Sequence, residues 1–226
     1  MDKHYENLVK IYLRLKGYLV SNLIIHSDVQ GDLRSELDII GVRFPNHMQD
    51  YRFVHVEDKL QSSDSRIEII IADVKNYKNV TNLEFNKGLR QNRESIIQLI
   101  NWLGVFKTVD DKIVEKFEYY LNLHRIKNWN GFAEFQEDLE IGKFNFKFTF
   151  FAPSLPEWDG KNLKYIHGEE IIDFIWECLN DLNRLKTCSR LYDFTGWDSY
   201  IDYVLFFKRA QKKVTLEDFK TQFSRK

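Results

Sequence analysis

The segment from Arg66 to Lys75 constrains this chain more than any other, because it has the pattern of a buried β-strand that ends in charged residues. Its sequence is Arg-Ile-Glu-Ile-Ile-Ile-Ala-Asp-Val-Lys. Alternate residues of a strand share a face, so one face carries, in order, Ile67, Ile69, Ile71, Asp73 and Lys75. A carboxylate and an ammonium group are costly to bury at the end of an apolar strand. They form a structural ion pair or they take part in chemistry, and the strand alone leaves both possibilities open.

The overall composition fits a folded protein with one main domain. The chain has 226 residues, of which 43% are hydrophobic and 30% are charged, so it can bury a substantial core. A net charge of −1 gives no overall electrostatic case for nucleic-acid binding but allows a local basic groove. Two cysteines, no zinc-type Cys/His spacing, no apolar leader and no run of transmembrane length predict a cytoplasmic protein with no membrane partner.

Hydrophobic periodicity predicts a mixture of helices and strands. Helices are predicted over residues 2–16, 92–103, 110–123, 169–185, 197–210 and 216–223. Strands are predicted over residues 18–25, 36–44, 67–76, 143–151 and 163–167, of which the strand at 143–151 is expected to be half-exposed with a core-facing stripe of phenylalanines. This order indicates an α/β fold with a central mixed β-sheet and helices on both faces.

The predicted elements divide into a main domain, residues 1–185, and a C-terminal helical extension, residues 186–226, packed on that domain. The extension is rich in tyrosine and phenylalanine. Its aromatic face covers the core or forms the contact of a homodimer, and the sequence leaves these two possibilities open.

A second strand supplies another acid. The predicted strand at 36–44 places Asp38 between apolar residues. If this strand is the neighbour of the strand that carries Asp73, the two carboxylates meet at one edge of the sheet beside Lys75. Converging carboxylates attract Mg²⁺, and the backbone carbonyl of Val74 is a further candidate ligand. Such an ion polarises a phosphodiester and activates water, while Lys75 orients or deprotonates that water or stabilises the developing charge.

The order of the elements and the two acidic motifs resemble the PD-(D/E)XK nuclease superfamily, whose core is the restriction-endonuclease-like fold. The matching residues are Asp38 within Glu-Leu-Asp-Ile-Ile-Gly and the pair Asp73-Val-Lys75. The resemblance covers about residues 2–106 and is strongest to Mrr-like and other stand-alone nucleases. It also places Glu6 where many family members have a first-helix glutamate that joins the metal shell. The resemblance implies that the main domain hydrolyses DNA with Mg²⁺, for which Mn²⁺ can substitute.

The resemblance and the metal chemistry of converging carboxylates together predict one set of site residues. Asp38 and Asp73 are the catalytic metal ligands, Val74 is a ligand through its backbone carbonyl, Glu6 is an auxiliary ligand and Lys75 is the catalytic lysine. No proline precedes Asp38, and residues 46–65 form an insertion between the two motifs, either a substrate-contacting flap or a hairpin. Polar residues after the third strand are candidate phosphate contacts: Lys87, Arg90, Arg93 and Gln98.

Each assignment has a structural alternative. In these alternatives, Asp73 and Lys75 form only an ion pair, Asp38 only caps a turn, and Glu6 pairs with Lys10 at i,i+4 spacing. The basic residues are a solvated helix face rather than a nucleic-acid contact. At the level of the whole protein, the alternatives are a catalytically inactive nucleic-acid-binding or scaffold protein that keeps the nuclease fold, and an RNA nuclease with the same chemistry.

Overall fold

The computed structural model of the protein describes residues 3–27, 33–47, 60, 65–76, 83–123, 131–155, 165–180 and 194–223. Its α-helices are α1 (Lys3–Leu15), α2 (Lys87–Arg90), α3 (Arg93–Leu103), α4 (Asp111–Leu121), α5 (Gly168–Leu179), α6 (Ile201–Arg209) and α7 (Leu216–Phe223). Its strands are β1 (Leu19–His26), β2 (Leu33–Arg43), β3 (Ile67–Val74), β4 (Phe132–Leu139), β5 (Gly142–Ala152) and β6 (Ile166–His167). A 3₁₀ helix, Thr195–Tyr200, precedes α6.

Local capping explains where several helices begin and end. The side chain of Asn92 accepts a hydrogen bond from the Ser95 amide and starts α3, while the side chain of Asp110 does the same for α4 through Ile113. Helix α3 ends at Gly104, whose φ of 68° is in the left-handed region that favours glycine. These signals lie close to the predicted helix boundaries because capping is a local property of the sequence.

The six strands form one mixed sheet in the order β1-β2-β3-β5-β4, and β6 also pairs with β5. Strands β1, β2 and β3 are antiparallel neighbours, whereas β3 and β5 are parallel. Strand β5 pairs on its other side with antiparallel β4 and, at its C-terminal end, with parallel β6. The sheet confirms the predicted α/β class with a central mixed sheet.

Helices cover both faces of the sheet, as predicted, because β3 is apolar on both sides. Ile70 and Ala72 face a core cluster that includes α1, α5, α6 and α7, whereas Ile69 and Ile71 face a second cluster that includes α2, α3 and α4. The phenylalanines of β5 that were predicted to be core lie in the second cluster. The C-terminal helices therefore pack on the same layer as α1 and α5.

Strand β5 is more deeply buried than the sequence pattern predicted. Asn145, Lys147 and Thr149 alternate with the phenylalanines and were expected to face water, but all three are buried. The reason is that β5 lies between neighbouring strands and these polar side chains bond within the protein: Asn145 to Glu134, Lys147 to Glu68 and Thr149 to the carbonyl of Gly131. Strand β4 was not predicted at all, because its sequence, Phe-Ala-Glu-Phe-Gln-Glu-Asp-Leu, contains no β-branched residue.

A buried charged network joins β2, β3 and β5 at the end of β3 that is opposite to Asp73. Glu68, which is 2% exposed, accepts hydrogen bonds from Tyr18 Oη (2.8 Å), Arg43 Nε (2.8 Å) and Lys147 Nζ (2.6 Å). Burial raises the pKa of Tyr18 well above its usual range, so the phenol remains a hydrogen-bond donor to Glu68. The network fixes the register of the central strands, which also determines how their other ends meet.

Some predicted features lie outside the described residues. They include nearly all of the insertion at 46–65 and the end of the helix predicted to reach residue 185. Among the described residues, no helix combines the length and the apolar character needed to cross a membrane.

Candidate active site

The β2–β3 pairing brings the two predicted carboxylates together. Ile39 pairs with Ala72 in the antiparallel register, so the next step along both strands sets Asp38 beside Asp73. The backbone amide of Val74 donates a hydrogen bond of 2.9 Å to Asp38 Oδ2. Both acids are almost fully buried, with exposed fractions of 4% for Asp38 and 2% for Asp73. The carboxylate of Asp38 thus bridges to β3 rather than capping a turn.

Lys75 lies beside this pair and bonds to one of its acids. Its Nζ donates to Asp73 Oδ2 at 2.9 Å, and its side chain is mostly buried. The same oxygen accepts a 3.1 Å hydrogen bond from the backbone amide of Asn86, which directly precedes α2. The ion pair that was the structural alternative is therefore present. It uses only one of the two carboxylate oxygens of Asp73.

The other oxygen, Asp73 Oδ1, is buried and has no hydrogen-bond partner among the described residues. Buried carboxylate oxygens are almost always hydrogen-bonded or bound to a cation, because an unmatched negative charge in the interior is costly. Here the unsatisfied oxygen belongs to an acid that faces a second buried carboxylate across the strand pair. This arrangement fits a hard cation with oxygen ligands, such as Mg²⁺.

The electrostatics of the site also favour an added positive charge. Burial raises the pKa of Asp38 to about 7, and the negative charges of Asp73 and, more weakly, Glu6 act in the same direction. The Val74 amide and Lys75 oppose this increase. Burial also raises the pKa of Asp73 despite the adjacent lysine. One lysine does not compensate the two acids, so at neutral pH the pair retains a proton or needs a cation.

Glu6 is less closely associated with the site than the resemblance implied. It lies half-buried on α1, and its charge contributes to the raised pKa of Asp38. Among the described residues, however, no group of three or more His, Cys, Asp or Glu side chains is arranged to hold a metal ion. The structure thus brings together Asp38, Asp73 and Lys75, and leaves Glu6 as a neighbour that acts through its charge.

The four predicted nucleic-acid contacts differ in how far they are exposed. Lys87 and Arg93 are exposed, and Arg93 forms an ion pair with Asp111. Gln98 is half-buried on α3. Arg90 is buried: its Nε donates to the carbonyl of Phe85 at 3.1 Å and its guanidinium pairs with the side chain of Glu84. These internal bonds give Arg90 a structural role, which corrects its prediction as a phosphate contact.

Two features of the structure had no counterpart in the predictions. One is the Asn86 amide on Asp73, since a backbone donor leaves no signature in the sequence. The other is a cavity of about 540 Å³ between α1, α5 and residues 213–216, lined in part by Tyr12, Lys16 and Glu170. Neither Asp38 nor Asp73 lines this cavity, so it is separate from the acidic pair.

Comparisons of the chain with models of known protein families, with curated proteins and with solved structures gave no match. The function of the chain is therefore inferred from the chemistry of the site itself.

Proposed function

We propose that the protein is a Mg²⁺-dependent nuclease that hydrolyses phosphodiester bonds of DNA at Asp38, Asp73 and Lys75, on a restriction-endonuclease-like core. The observation that carries this proposal is the buried Oδ1 of Asp73, which has no hydrogen-bond partner within the described part of the chain and lies in a carboxylate pair held by two neighbouring strands. A purely structural ion pair has no need of a second buried acid, because each additional buried carboxylate adds a desolvation cost.

Each residue of the site has a distinct part in this proposal. Asp38 and Asp73 hold the cation, with the carbonyl of Val74 as a further oxygen donor. When bound, Mg²⁺ or Mn²⁺ supplies Lewis-acid polarisation of the scissile phosphate and lowers the pKa of a bound water. Lys75 leaves Asp73 Oδ2 to orient the attacking water or to stabilise the negative charge that develops on the phosphoryl oxygens. Glu6 adds negative charge near the two acids, and its part as an auxiliary ligand stays a proposal.

The order of the elements supports the restriction-endonuclease-like assignment. Helix α1 precedes β1, β2 carries Asp38, and β3 carries Asp73 followed by Lys75. Strands β1 to β3 are antiparallel, and β3 then pairs in parallel with β5, while β6 leads into α5. The order of helix, strand, strand with Asp38 and strand with Asp73 and Lys75 is the order on which the resemblance rests, and it supports the proposal.

A catalytically inactive binding protein is the second candidate, and the ion pair between Lys75 and Asp73 is the observation that favours it. In such a protein the lysine would compensate the acid permanently, and no cation would enter. An RNA nuclease would use the same residues in the same way. The two nuclease possibilities differ only in substrate, whereas the inactive protein differs in metal binding.

The test is divalent-metal-dependent cleavage by the purified full chain. We expect degradation of plasmid or single-stranded DNA with Mg²⁺ or Mn²⁺, no cleavage with EDTA, and loss of cleavage in Asp73→Ala and Lys75→Ala. Asp173→Ala is a matched control, because Asp173 is a partly exposed acid of α5 whose ion pair with Lys213 is remote in sequence from the site. Cleavage of RNA alone would change the substrate class. Wild-type activity in both site variants, or no cleavage and no metal binding by the wild type, would refute the proposal.

A further inference from the structure

The two carboxylate oxygens of Asp73 have different surroundings. Oδ2 accepts hydrogen bonds from Lys75 Nζ at 2.9 Å and from the Asn86 backbone amide at 3.1 Å. Oδ1 is buried without a partner among the described residues. Two donors on one oxygen fix the rotation of the carboxylate group, so the other oxygen is held in a single direction.

The Asn86 amide is itself held firmly in place. Phe85, the preceding residue, is 1% exposed, and its ring centroid lies 4.7 Å from that of Phe150, the residue that pairs with Asp73 across the sheet. On the other side, the Asn86 side chain accepts a hydrogen bond of 2.9 Å from the Gly88 amide and caps α2. Gly88 packs so close to β2 that an added Cβ would lie 2.5 Å from the carbonyl oxygen of Arg34.

On the basis of the proposed function, we propose that the backbone amide of Asn86 is a positioning group that holds Asp73 Oδ2, so that Oδ1 alone binds the metal and Lys75 is free to leave for the substrate. Without this amide, the departure of Lys75 would leave Oδ2 buried without either of these two hydrogen-bond donors, which is costly. With the amide present, Oδ2 keeps one hydrogen bond throughout. The metal then binds Asp73 through one oxygen rather than two.

A backbone donor can be removed by proline. The φ of Asn86 is −49°, at the edge of the range that the proline ring imposes. Asn86→Pro removes the amide donor and the side-chain cap of α2 and directs the ring Cδ toward Asp73 Oδ2, whereas Asn86→Ala removes the cap and keeps the amide. The difference between these two variants therefore reports on the replacement of the amide by the ring, and hydrogen exchange in the wild type reports on the amide itself.

The test is the affinity for Mn²⁺ of the full chain, measured by calorimetry for the wild type, Asn86→Ala and Asn86→Pro, with thermal stability measured in EDTA. We expect Asn86→Ala to bind Mn²⁺ nearly as well as the wild type and Asn86→Pro to bind about tenfold more weakly than Asn86→Ala, the loss expected for a hydrogen bond to a charged group. Equal affinities in the two variants would overturn this inference while leaving the proposed function intact. No Mn²⁺ binding by the wild type would overturn the proposed function and this inference together.

A second measurement covers the case in which Asn86→Pro does not fold. In the wild type, hydrogen exchange of the Asn86 amide is followed by NMR with and without saturating Mg²⁺. We expect the amide to stay protected from exchange when Mg²⁺ binds, because Oδ2 remains its acceptor. Loss of protection on Mg²⁺ binding would show that the metal takes both oxygens of Asp73, and would overturn the inference.

Discussion

Replacing Asp38 by asparagine should make the metal-free protein more stable at neutral and alkaline pH, although it should abolish the proposed activity. Asp38 is 4% exposed, and burial raises its pKa to about 7, with further contributions from the charges of Asp73 and Glu6. Asparagine has nearly the same shape and carries no charge, and its side-chain oxygen can still accept the hydrogen bond from the Val74 amide.

The sign and size of the effect follow from the pKa of Asp38. Between pH 4 and pH 7, approximately, the folded chain keeps a proton that the unfolded chain has lost, so the free energy of unfolding falls as the pH rises through this range. Above pH 7 the cost reaches its full value. A rise of the pKa from 3.8 to about 7, at about 1.4 kcal/mol per pH unit, corresponds to a cost of the order of 4 kcal/mol. Asp38→Asn removes this cost.

The assay is urea unfolding of the wild type and Asp38→Asn in EDTA at pH 5, 6, 7 and 8. We expect the stability advantage of the variant to increase with pH and to reach about 2–4 kcal/mol at pH 8. Asp173→Asn, in which a partly exposed acid is changed, should stay within about 0.5 kcal/mol of the wild type at every pH. A variant that is less stable than the wild type at pH 8, or a difference that does not change with pH, would refute the electrostatic account of the site.

Three further tests, which use four substitutions, address the packing of the sheet and of helix α2. Glu68→Gln should cost about 3–5 kcal/mol in the free energy of unfolding, measured by urea titration, because it leaves two buried cations without their shared carboxylate; a change below 1 kcal/mol would contradict the buried network. Gly88→Ala should destabilise the fold by about 1–3 kcal/mol and weaken Mn²⁺ binding in calorimetry, because the new Cβ would press on the carbonyl of Arg34; unchanged stability and affinity would show that α2 adjusts freely. Arg90→Ala should lower the midpoint of thermal unfolding, because Arg90 is buried and bonded, whereas Lys87→Ala should leave it unchanged, because Lys87 is exposed. A larger decrease for Lys87→Ala than for Arg90→Ala would contradict the structural role of Arg90.

The sequence predicted the central part of the site because the relevant information is local to two strands. The alternation of β3 put Asp73 and Lys75 on one face, and Asp38 had the same kind of position in β2. The prediction that the two acids meet depended on the assumption that their strands are neighbours. The antiparallel pairing of Ile39 with Ala72 confirms this assumption. The role of these residues in catalysis remains a proposal.

Other parts of the structure depend on tertiary contacts that no local pattern contains. Lys147 looked like a solvent-facing residue because it alternates with phenylalanines, but its partner, Glu68, is 79 residues away in the chain. Arg90 looked like a phosphate contact because it lies in a basic helix, and its burial depends on how α2 packs on the sheet. The hydrogen bond from the Asn86 amide could not be predicted for a different reason. Every residue except proline carries a backbone donor, so the sequence does not indicate which one bonds Asp73.

The most direct test of the account is a crystal structure of the full chain grown with Mn²⁺, with the ion located by its anomalous scattering. We predict one strong peak between the two acids, in contact with Asp73 Oδ1 and with the carboxylate of Asp38, while Asp73 Oδ2 keeps the Asn86 amide as its donor. Crystals that contain Mn²⁺ but show no peak between Asp38 and Asp73, with Lys75 still bonded to Asp73, would contradict the account.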